Sequence, residues 1–392
     1  MSYKPTAFIK HVMTAPHSEL VIGSRKCAAN PQVINLGTAQ SHLLNDFLLP
    51  LMRSRPEFTG WDFTYAGSYV KTNLKKAIAH LYEKHFGMKN VNPDHIIVGS
   101  GIAYLVEMLS LAFCEPGEKI LIPEPCYGCF EPDMWSSGAK VQYIDLDNLP
   151  AEPPADARIL LLTNPGNPIG EPVPNQDELL TWAMKNPLLH VITDEIYGLS
   201  FRDGTNFVSM MENKFVDPKR IHHLYGVSKD WGMAGLHVGF FYTRNDALFE
   251  ALNEACTGYS LPSDTKQYLE KIFCNYELVD KMIEASRERL TKAEETAIRI
   301  IKEGGIPYKK SPASLFMLLD LTDIAKNAEE EKKLWLELID RFSVHVLPAY
   351  NGFRYKYPGW FRLCFSLDEP QLVEGCNRLV NAVKTLRTER AK

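Results

Sequence analysis

The sequence predicts an α/β fold with a mostly parallel central sheet, flanking helices and a smaller α+β domain. Between about residues 70 and 245, short apolar runs alternate with helical patterns, which is typical of a parallel sheet covered by helices. Beyond about residue 275, charged and helix-prone stretches replace this alternation. A chain of 392 residues is long for a single core, so we expect a large domain at 45–275 and a smaller one formed by 1–44 and 276–392.

The individual elements follow from the spacing of apolar residues. Val70–Phe86 carries an apolar stripe at helical spacing and ends at Gly87, so it predicts an amphipathic helix packed on the sheet. Five short apolar runs predict strands of the large domain, namely Lys119–Ile122, Ile159–Thr163, His190–Thr193, Ile221–Tyr225 and Val238–Tyr242. The smaller domain is predicted to contain the strand Phe316–Asp320 and the helices Lys281–Glu303, Glu329–Phe342 and about Pro370–Arg387.

Polar side chains stand directly after three of these predicted strands. Asn164 and Asn167 follow the run that ends at residue 163. Asp194 follows the next run, and Lys229 follows the one after it. In open α/β sheets, ligands bind outside the carboxyl ends of the strands. The placement therefore predicts one shared site.

Composition and charge disfavour several classes of protein. The chain is 45% hydrophobic and 23% charged, the proportions of an ordinary globular protein. A formal net charge of −5 offers no field for a polyanion, so nucleic acid is not an expected partner. No apolar stretch approaches the roughly 20 residues that span a bilayer, so no membrane contact is expected. The first residues lack an apolar signal core, from which we expect a cytoplasmic location.

The eight cysteines are scattered along the chain, which does not suggest a disulfide scaffold. Cys126 and Cys129 form a C-x-x-C motif. No second pair of cysteine or histidine residues with ligand spacing accompanies it. We therefore expect neither a metal site nor a redox site.

Lys229 and Asp194 together point to pyridoxal 5′-phosphate (PLP). A lysine that forms a Schiff base and an aspartate that pairs with a pyridinium nitrogen are the minimal apparatus for this cofactor. The amine of Lys229 is also the natural base for the substrate Cα proton. Tyr197 and Asn167 could both hydrogen-bond the phenolic oxygen of the cofactor. A surface lysine, a helix-capping aspartate and a Pro/Gly turn are the alternatives, each plausible alone but not in this combination.

The segment Val98–Tyr104 follows an apolar run and opens an apolar helical stretch. Backbone N–H groups at a helix N-terminus bind phosphate, so Gly101, Ile102 and Ala103 are candidates for the cofactor phosphate. Tyr127 could stack on the pyridine ring or be a packed core tyrosine.

Arg362 lies in an otherwise apolar strand pattern, Trp360–Phe365. An arginine in such a place must be paired. The carboxylate of a substrate suits its planar fork, and a structural ion pair is the competing explanation.

The order of these motifs resembles that of fold-type I PLP enzymes of the class I/II aminotransferase group, over nearly the whole chain. Within that group the chain is similar to 1-aminocyclopropane-1-carboxylate (ACC) synthase and its relatives. The passages that carry the resemblance are Ile34–Gln40, Asn164–Gly170, Asp194–Tyr197, Ser228–Asp230 and Pro358–Phe365. The resemblance implies the fold type I of PLP-dependent transferases, an amino-acid substrate, and a homodimer with active sites at the subunit interface. It also implies that Tyr65 reaches the phosphate of the neighbouring subunit and that Gly37 lies by the substrate carboxylate.

The chain departs from that family at three positions. Gln40 stands where ACC synthases carry a glutamate, which removes a possible base or cation partner at the expected substrate site. His237 stands eight residues after the lysine, where a phosphate-binding arginine is usual, and Gly226 replaces a hydroxyl residue. Either protonated His237 compensates at the phosphate, or the altered pocket makes room for another group.

These residues are compatible with three kinds of function. The leading hypothesis is Cα deprotonation of an α-amino acid followed by γ-elimination, γ-substitution or cyclisation, with S-adenosylmethionine or another substrate that has a γ leaving group. The alternative is transamination to a 2-oxo acid, which uses the same residues. A catalytically silent binding protein is the third, and the intact set of Lys229, Asp194, Tyr197, Asn167 and Arg362 argues against it.

Overall fold

The computed structural model describes residues 6, 9–10, 12, 18–54, 58–64, 73–256 and 260–391. Tyr65 lies outside the described residues. The strands, in chain order, are β1 (Ile34–Asn35), β2 (Ile96–Gly99), β3 (Lys119–Pro123), β4 (Lys140–Ile144), β5 (Ala157–Thr163), β6 (His190–Asp194), β7 (Ile221–Gly226), β8 (Gly239–Thr243), β9 (Tyr308–Lys309), β10 (Phe316–Asp320), β11 (Val344–His345), β12 (Leu347–Pro348) and β13 (Trp360–Cys364).

The helices, in the same order, are α1 (Glu19–Ala29), α2 (Asn45–Arg53), α3 (Asn73–His85), α4 (Gly101–Phe113), α5 (Phe130–Asp133), α6 (Gln176–Met184), α7 (Asp246–Cys256), α8 (Ser263–Phe273), α9 (Tyr276–Glu303), α10 (Ala328–Phe342), α11 (Ala349–Phe353) and α12 (Glu369–Arg390). Of the helices built from described residues, none has the length and apolar character that crossing a membrane requires.

The larger sheet has seven strands in the order β2-β8-β7-β6-β5-β3-β4. Only β8 runs antiparallel to its neighbours, so the predicted mostly parallel sheet is confirmed. Along β5, Leu160 and Leu162 belong to the core on one face, and Ile159 and Leu161 belong to the core on the other. A strand buried on both faces must be a continuous apolar run, which is why these strands could be read from the sequence.

The register of the parallel strands brings their carboxyl ends to one level. Thr163 of β5 lies opposite Asp194 of β6, and Asp194 lies opposite Leu224 of β7. The chain segments that follow these strands therefore begin side by side at one edge of the sheet. This is the edge at which the polar residues were predicted to gather.

The predicted helices and strands recur with shifts at their ends. The helix predicted from residue 70 is described from Asn73 and ends at His85, and Gly87 follows with φ +63°. The long charged helix begins five residues earlier than predicted, at Tyr276, because Asn275 caps it by accepting a hydrogen bond from the backbone N–H of Leu278. The strand Phe316–Asp320 has the predicted bounds.

A second sheet has four antiparallel strands in the order β12-β13-β10-β9. Arg362 of the inner strand β13 lies between Leu318 of β10 and Leu347 of β12. Helices α9, α10 and α12 contribute to the apolar core beside this sheet. The two sheets fall on either side of residue 275, and the domain boundaries themselves stay a prediction.

A buried ion pair joins the segment after β6 to the smaller sheet. Arg202 and Glu294 are both buried, with 2.9 Å between Nη2 and Oε1. The same guanidinium donates to the carbonyls of Ser311 (2.6 Å) and Ser314 (2.5 Å), which lie between β9 and β10. Lys310 also contacts Glu294 at 3.2 Å. The pair therefore ties α9 and the β9–β10 loop to the large sheet.

Removing Arg202 should destabilise the fold strongly. Arg202→Met leaves the buried carboxylate of Glu294 with only Lys310, and breaking a buried pair costs about 3–5 kcal/mol. We expect about 3 kcal/mol, the lower end, because the Lys310 contact remains. Guanidinium-induced unfolding measures the loss. Arg341→Met removes an exposed pair with Glu389 and should change the midpoint little; equal losses in the two variants would contradict the prediction.

Candidate active site

Two adjoining cavities lie at the carboxyl edge of the large sheet. The inner cavity, about 300 Å³, is lined by the segments that follow β2, β5, β6 and β7. The outer cavity, about 320 Å³, is lined by α1, by the segment after β1 and by the smaller sheet. Four residues line both cavities, namely Tyr127, Asn167, Tyr197 and Lys229. The cavities therefore form one site with Lys229 at their junction.

Lys229 lies three residues beyond the end of β7. Its Nζ donates to the carbonyl of Ala39 at 2.8 Å. Burial, followed by the nearby charge of Arg362, lowers the pKa of Lys229 to about 8, while Asp194 opposes the shift. At pH 7 about one-tenth of this amine is uncharged, compared with fewer than about one in a thousand for an ordinary lysine.

The loop that carries Lys229 is fixed by the next residue. Asp230 is buried, and its carboxylate accepts hydrogen bonds from the backbone N–H of Leu199 (2.9 Å) and the hydroxyl of Tyr225 (3.0 Å). The indole N–H of Trp231 donates to the same hydroxyl at 2.9 Å. This network holds Lys229 at the mouth of its strand, and sequence reasoning had assigned Asp230 no separate role.

Asp194 is the last residue of β6 and is buried in the wall of the inner cavity. Its Oδ1 accepts a hydrogen bond from the backbone N–H of Ile196 at 3.2 Å. Burial raises the pKa of the Asp194 carboxyl to about 7, and Lys229 partly offsets that rise. A cationic ring nitrogen beside it would restore the charged form, which is the partnership that PLP requires.

Arg362 is buried at the floor of the outer cavity. Its Nη1 donates to Asn167 Oδ1 at 2.8 Å and its Nη2 donates to the carbonyl of Gly37 at 2.6 Å. The rings of Phe316 and Phe353 lie 4.7 Å and 4.5 Å from the guanidinium carbon. Nε has no hydrogen-bond partner. Within the part of the chain that the structure describes, no carboxylate pairs with this cation, so the structural ion pair that competed with substrate binding is not observed.

Tyr197 and Gly37 complete the surroundings of Arg362. The ring of Tyr197 packs edge-on against Phe316 with centroids 5.4 Å apart, and burial raises its pKa. Gly37 is buried, and a Cβ there would lie 2.5 Å from Nε2 of His345. Only glycine therefore lets the Gly37 carbonyl reach the arginine.

The N-terminus of α4 faces the inner cavity. Gly101, Ile102 and Ala103 all line it, and the first backbone N–H groups of a helix have no partner within the helix. Gly101 has φ +89°. A Cβ at Gly239 of β8 would lie 2.7 Å from the carbonyl carbon of Gly101. The helix start is therefore pressed against β8, and its first backbone N–H groups lie at the inner cavity, a position suited to binding an anion.

His237 lines the inner cavity, and Gly226 lies two residues before the lining residue Ser228. A Cβ at Gly226 would come 2.7 Å from the carbonyl oxygen of Val238, so the close pairing of β7 with β8 leaves no room for a hydroxyl side chain. His237 is exposed, lines the cavity and has φ +50°. Ser228 and the exposed Ser100 add two hydroxyls to the lining. The part of the inner cavity where the sequence predicts the cofactor phosphate therefore offers neutral donors and one imidazole.

Tyr127 and Gln40 are placed differently from one another. Tyr127 is half-buried in the wall that the two cavities share, and its ring meets Phe130 edge-on at 5.2 Å. The side chain of Gln40 is exposed and lines neither cavity. The Gln40 carbonyl accepts a hydrogen bond from the hydroxyl of Ser366 at 2.6 Å. The structure thus places Gln40 next to the lining residue Ala39 but outside both cavities.

Several lining residues were not found from the sequence. Asp133 lines the inner cavity, and burial together with Glu107 raises its pKa to about 7. Ser24, Arg25 and Cys129 line the outer cavity. No motif or spacing marks Asp133, Ser24 or Arg25, because α1 and the short helix α5 reach the site only through long-range packing. The C-x-x-C motif that contains Cys129 was noticed, but no role at this site was assigned to it.

The charged side chains around the outer cavity are all cations. They are Arg25, Lys229 and Arg362, and the described residues that line this cavity include neither aspartate nor glutamate. The charged side chains of this lining therefore favour anionic over cationic ligands.

The chain was compared with known proteins. The sequence profile of the family described as "Aminotransferase class I and II" matches residues 32–379. The chain is 28% identical to 1-aminocyclopropane-1-carboxylate synthase 5 of Oryza sativa subsp. japonica, over 86% of this chain and 70% of that protein. It is also 28% identical to 1-aminocyclopropane-1-carboxylate synthase-like protein 1 of Mus musculus, over 89% of this chain and 76% of that protein.

Two solved structures share the fold. A Pyrococcus protein named protein-A1 superposes with a TM-score of 0.81 at 20% identity, covering 97% of this chain and 99% of that one. The N-succinyldiaminopimelate aminotransferase of Mycobacterium tuberculosis gives a TM-score of 0.80 at 17% identity, covering 97% and 100%. At these identities the likeness establishes the architecture alone.

The lowered pKa of Lys229 predicts how PLP attachment depends on pH. Only a neutral amine is nucleophilic, and the neutral fraction rises with pH until the pKa of about 8 is passed. In cofactor-free protein, the rate of borohydride-trapped PLP incorporation at Lys229 should rise about tenfold per pH unit below that value and level off above it. Peptide mass measurement locates the label. The exposed Lys281, whose pKa is raised by its hydrogen bond to Glu277, is the internal control, and a Lys229 profile that still climbs at pH 10 contradicts the assignment.

The exposed position of His237 predicts that an arginine is tolerated there. His237→Arg supplies a permanent cation and a planar fork for a phosphate. We expect cofactor binding to be kept and its Kd to fall by up to about tenfold, as one charge-assisted hydrogen bond allows. Titration of cofactor-free protein with PLP measures the Kd. His80→Arg is the control, because His80 stacks on Tyr276 away from both cavities; a large loss of affinity in His237→Arg alone would rule out a phosphate contact.

Proposed function

The chain belongs to the class I and II aminotransferase family of fold-type I PLP enzymes, and on that premise we propose that it moves the amino group of an α-amino acid to a 2-oxo acid. The observation that carries the proposal is the buried Arg362. Its guanidinium has an unpartnered Nε and no carboxylate among the described residues, and it lines the same cavity as Lys229. An α-carboxylate on that cation would bring the substrate Cα toward the amine.

The residues of the inner cavity fit PLP. Lys229 would hold the cofactor covalently and Asp194 would face its ring nitrogen. Asn167 and Tyr197 would approach its phenolic oxygen, and the free N–H groups at the start of α4 would receive the phosphate. When bound, the pyridine ring supplies an electron sink for the electron pair left by Cα deprotonation.

The residues of the chain then have separable tasks. Arg362 binds and orients the α-carboxylate through its planar fork. Asn167 and the Gly37 carbonyl fix that fork, and the faces of the two phenylalanines keep water from it. Lys229, once the substrate amine has displaced it from the cofactor, accepts the Cα proton at Nζ, and its pKa of about 8 allows that proton transfer near neutral pH.

A homodimer is part of the proposal. The family resemblance places Tyr65 of a neighbouring subunit at the cofactor phosphate, and Tyr65 lies outside the described residues. With Gly226 and His237 at the usual contact positions, a donor from a second subunit would strengthen the phosphate site.

The γ-chemistry of ACC synthases is the second candidate, and it is favoured by the 28% identity to proteins of that name. Two observations place transamination first. S-adenosylmethionine carries a cationic sulfonium, while the charged side chains that line the outer cavity are all cations. Gln40, at the position of the ACC synthase glutamate, is an amide with an exposed side chain.

Product analysis of the purified holoenzyme separates these reactions. With a panel of amino acids, transamination should give one 2-oxo acid per cofactor in a single turnover, with pyridoxamine 5′-phosphate left on the protein. Catalytic turnover should then require an added 2-oxo acid. Release of methylthioadenosine from S-adenosylmethionine without a 2-oxo acid would instead favour ACC-synthase-like chemistry. No reaction with any amino acid, in protein that carries a borohydride-reducible chromophore, would refute both.

Two variants test the named residues in the same assay. Lys229→Ala should abolish turnover. Arg362→Lys keeps the charge but loses one of two hydrogen bonds to the carboxylate, so kcat/KM should fall about 10- to 100-fold. Lys281→Ala, an exposed lysine paired only with Glu277 among the described residues, is the control and should keep full activity.

A further inference from the structure

Helix α1 forms one wall of the outer cavity, and Arg25 lies on that wall. In the lining, Leu20 and Ser24 are four positions apart, and so are Val21 and Arg25, so the two neighbouring pairs lie along one face of the helix. The two apolar residues cover the cavity, and Ser24 and Arg25 bring polar groups to it.

The position of α1 is fixed by contacts with the smaller sheet and its helices. A Cβ at Gly23 would lie 2.5 Å from Nε2 of His345, so the helix backbone presses directly on the imidazole. Two ion pairs hold α1 against α10. Glu19 contacts Lys332 near the beginning of α10 at 3.5 Å, and Lys26 pairs with Asp340 near its end at 2.7 Å. Because the helix is held at both ends, Arg25 projects from a rigid support rather than from a loop.

The guanidinium of Arg25 has no carboxylate partner within the described ranges. By contrast, Arg202, Arg289 and Arg387 each bind an aspartate or glutamate. A solvated surface arginine is the simpler explanation for an exposed side chain. What distinguishes Arg25 is that it lines a cavity that already contains Arg362 and Lys229 and whose described lining includes no acid.

We propose that Arg25 binds a carboxylate on the side chain of the substrate, so that the enzyme prefers dicarboxylic amino acids and 2-oxo acids. The proposal rests on the transamination proposed above. When the α-carboxylate of the substrate binds Arg362, the guanidinium of Arg25 is still without an anionic partner. A second carboxylate satisfies it, and the two contacts together orient the substrate across Lys229.

The chemistry of the cavity favours a carboxylate over other side chains. An apolar side chain would leave Arg25 unpaired, and a cationic one would be repelled by the positive lining. A carboxylate matches the planar fork of arginine in two parallel hydrogen bonds. Arg25 is therefore a specificity-determining residue.

Kinetic discrimination by Arg25 variants tests the proposal. In wild-type holoenzyme, kcat/KM for aspartate or glutamate should exceed that for amino acids with uncharged side chains of equal length. Arg25→Gln should lower kcat/KM for the dicarboxylic substrates about 10- to 100-fold, mainly through KM, and leave the others within about twofold. For the dicarboxylic substrates, kcat/KM of Arg25→Lys should lie between the values of wild type and Arg25→Gln, because a lysine keeps the charge but lacks the planar guanidinium. Arg53→Gln, an exposed arginine at the end of α2, is the matched control and should behave as wild type.

A binding measurement separates failure of this proposal from failure of transamination. Glutarate and butyrate do not react, and their binding to holoenzyme can be followed by thermal shift. Glutarate should stabilise the wild type more than butyrate does, and Arg25→Gln should remove the difference. Equal effects of the two ligands on wild type, or equal losses for all substrates in Arg25→Gln, would overturn the assignment of Arg25 even if transamination is observed. If no amino acid is transaminated, the glutarate comparison still decides whether Arg25 binds a second carboxylate.

Discussion

The buried guanidinium of Arg362 is the interaction on which the site depends. Burying a cation costs several kcal/mol unless it is paired or fully hydrogen-bonded. Here the compensation comes from two neutral acceptors, Asn167 and the Gly37 carbonyl, and from two aromatic faces. These contacts join the loop after β5, the segment after β1 and the smaller sheet. Because the compensation is incomplete, with Nε unpartnered, an anionic ligand would supply the missing partner of the cation.

The parts of the structure that could be predicted from the sequence are those fixed by local pattern. Strands buried on both faces are continuous apolar runs, so β5, β6 and β7 were recognisable, and so were the polar residues at their ends. Helix ends shifted, as at Tyr276, because a capping hydrogen bond decides them. The wall formed by α1 was not predictable, since Gly23 meets His345 across more than three hundred residues of chain. The exposure of the Gln40 side chain was not predictable either, because it also depends on long-range packing.

The close pairing of β7 with β8 explains why a glycine, Gly226, replaces the hydroxyl residue that is usual in the family near the predicted phosphate site. Gly226 and Gly239 lie opposite each other in that ladder, and neither has room for a Cβ: the first would meet the Val238 carbonyl and the second would meet the start of α4. The close approach sets the free N–H groups of the helix beside the cavity but excludes a hydroxyl at Gly226. A bound phosphate would therefore depend more on backbone donors than on side chains, with His237 exposed beside them.

The charged lining of the outer cavity, and not the residues that transfer the proton, distinguishes transamination from γ-elimination at this site. Lys229, Asp194 and Asp230 would serve transamination and γ-elimination alike, because both begin with removal of the Cα proton. The outer cavity differs, since it must tolerate whatever the substrate carries beyond Cα. Arg25 is exposed, so solvent screens its interaction with a charge on the substrate, and that interaction contributes on the order of 1 kcal/mol. A sulfonium beside Arg25 and Arg362 would be disfavoured by an energy of that order, and a second carboxylate would be favoured by a similar one. The lining of the cavity therefore constrains the substrate more tightly than the catalytic residues do.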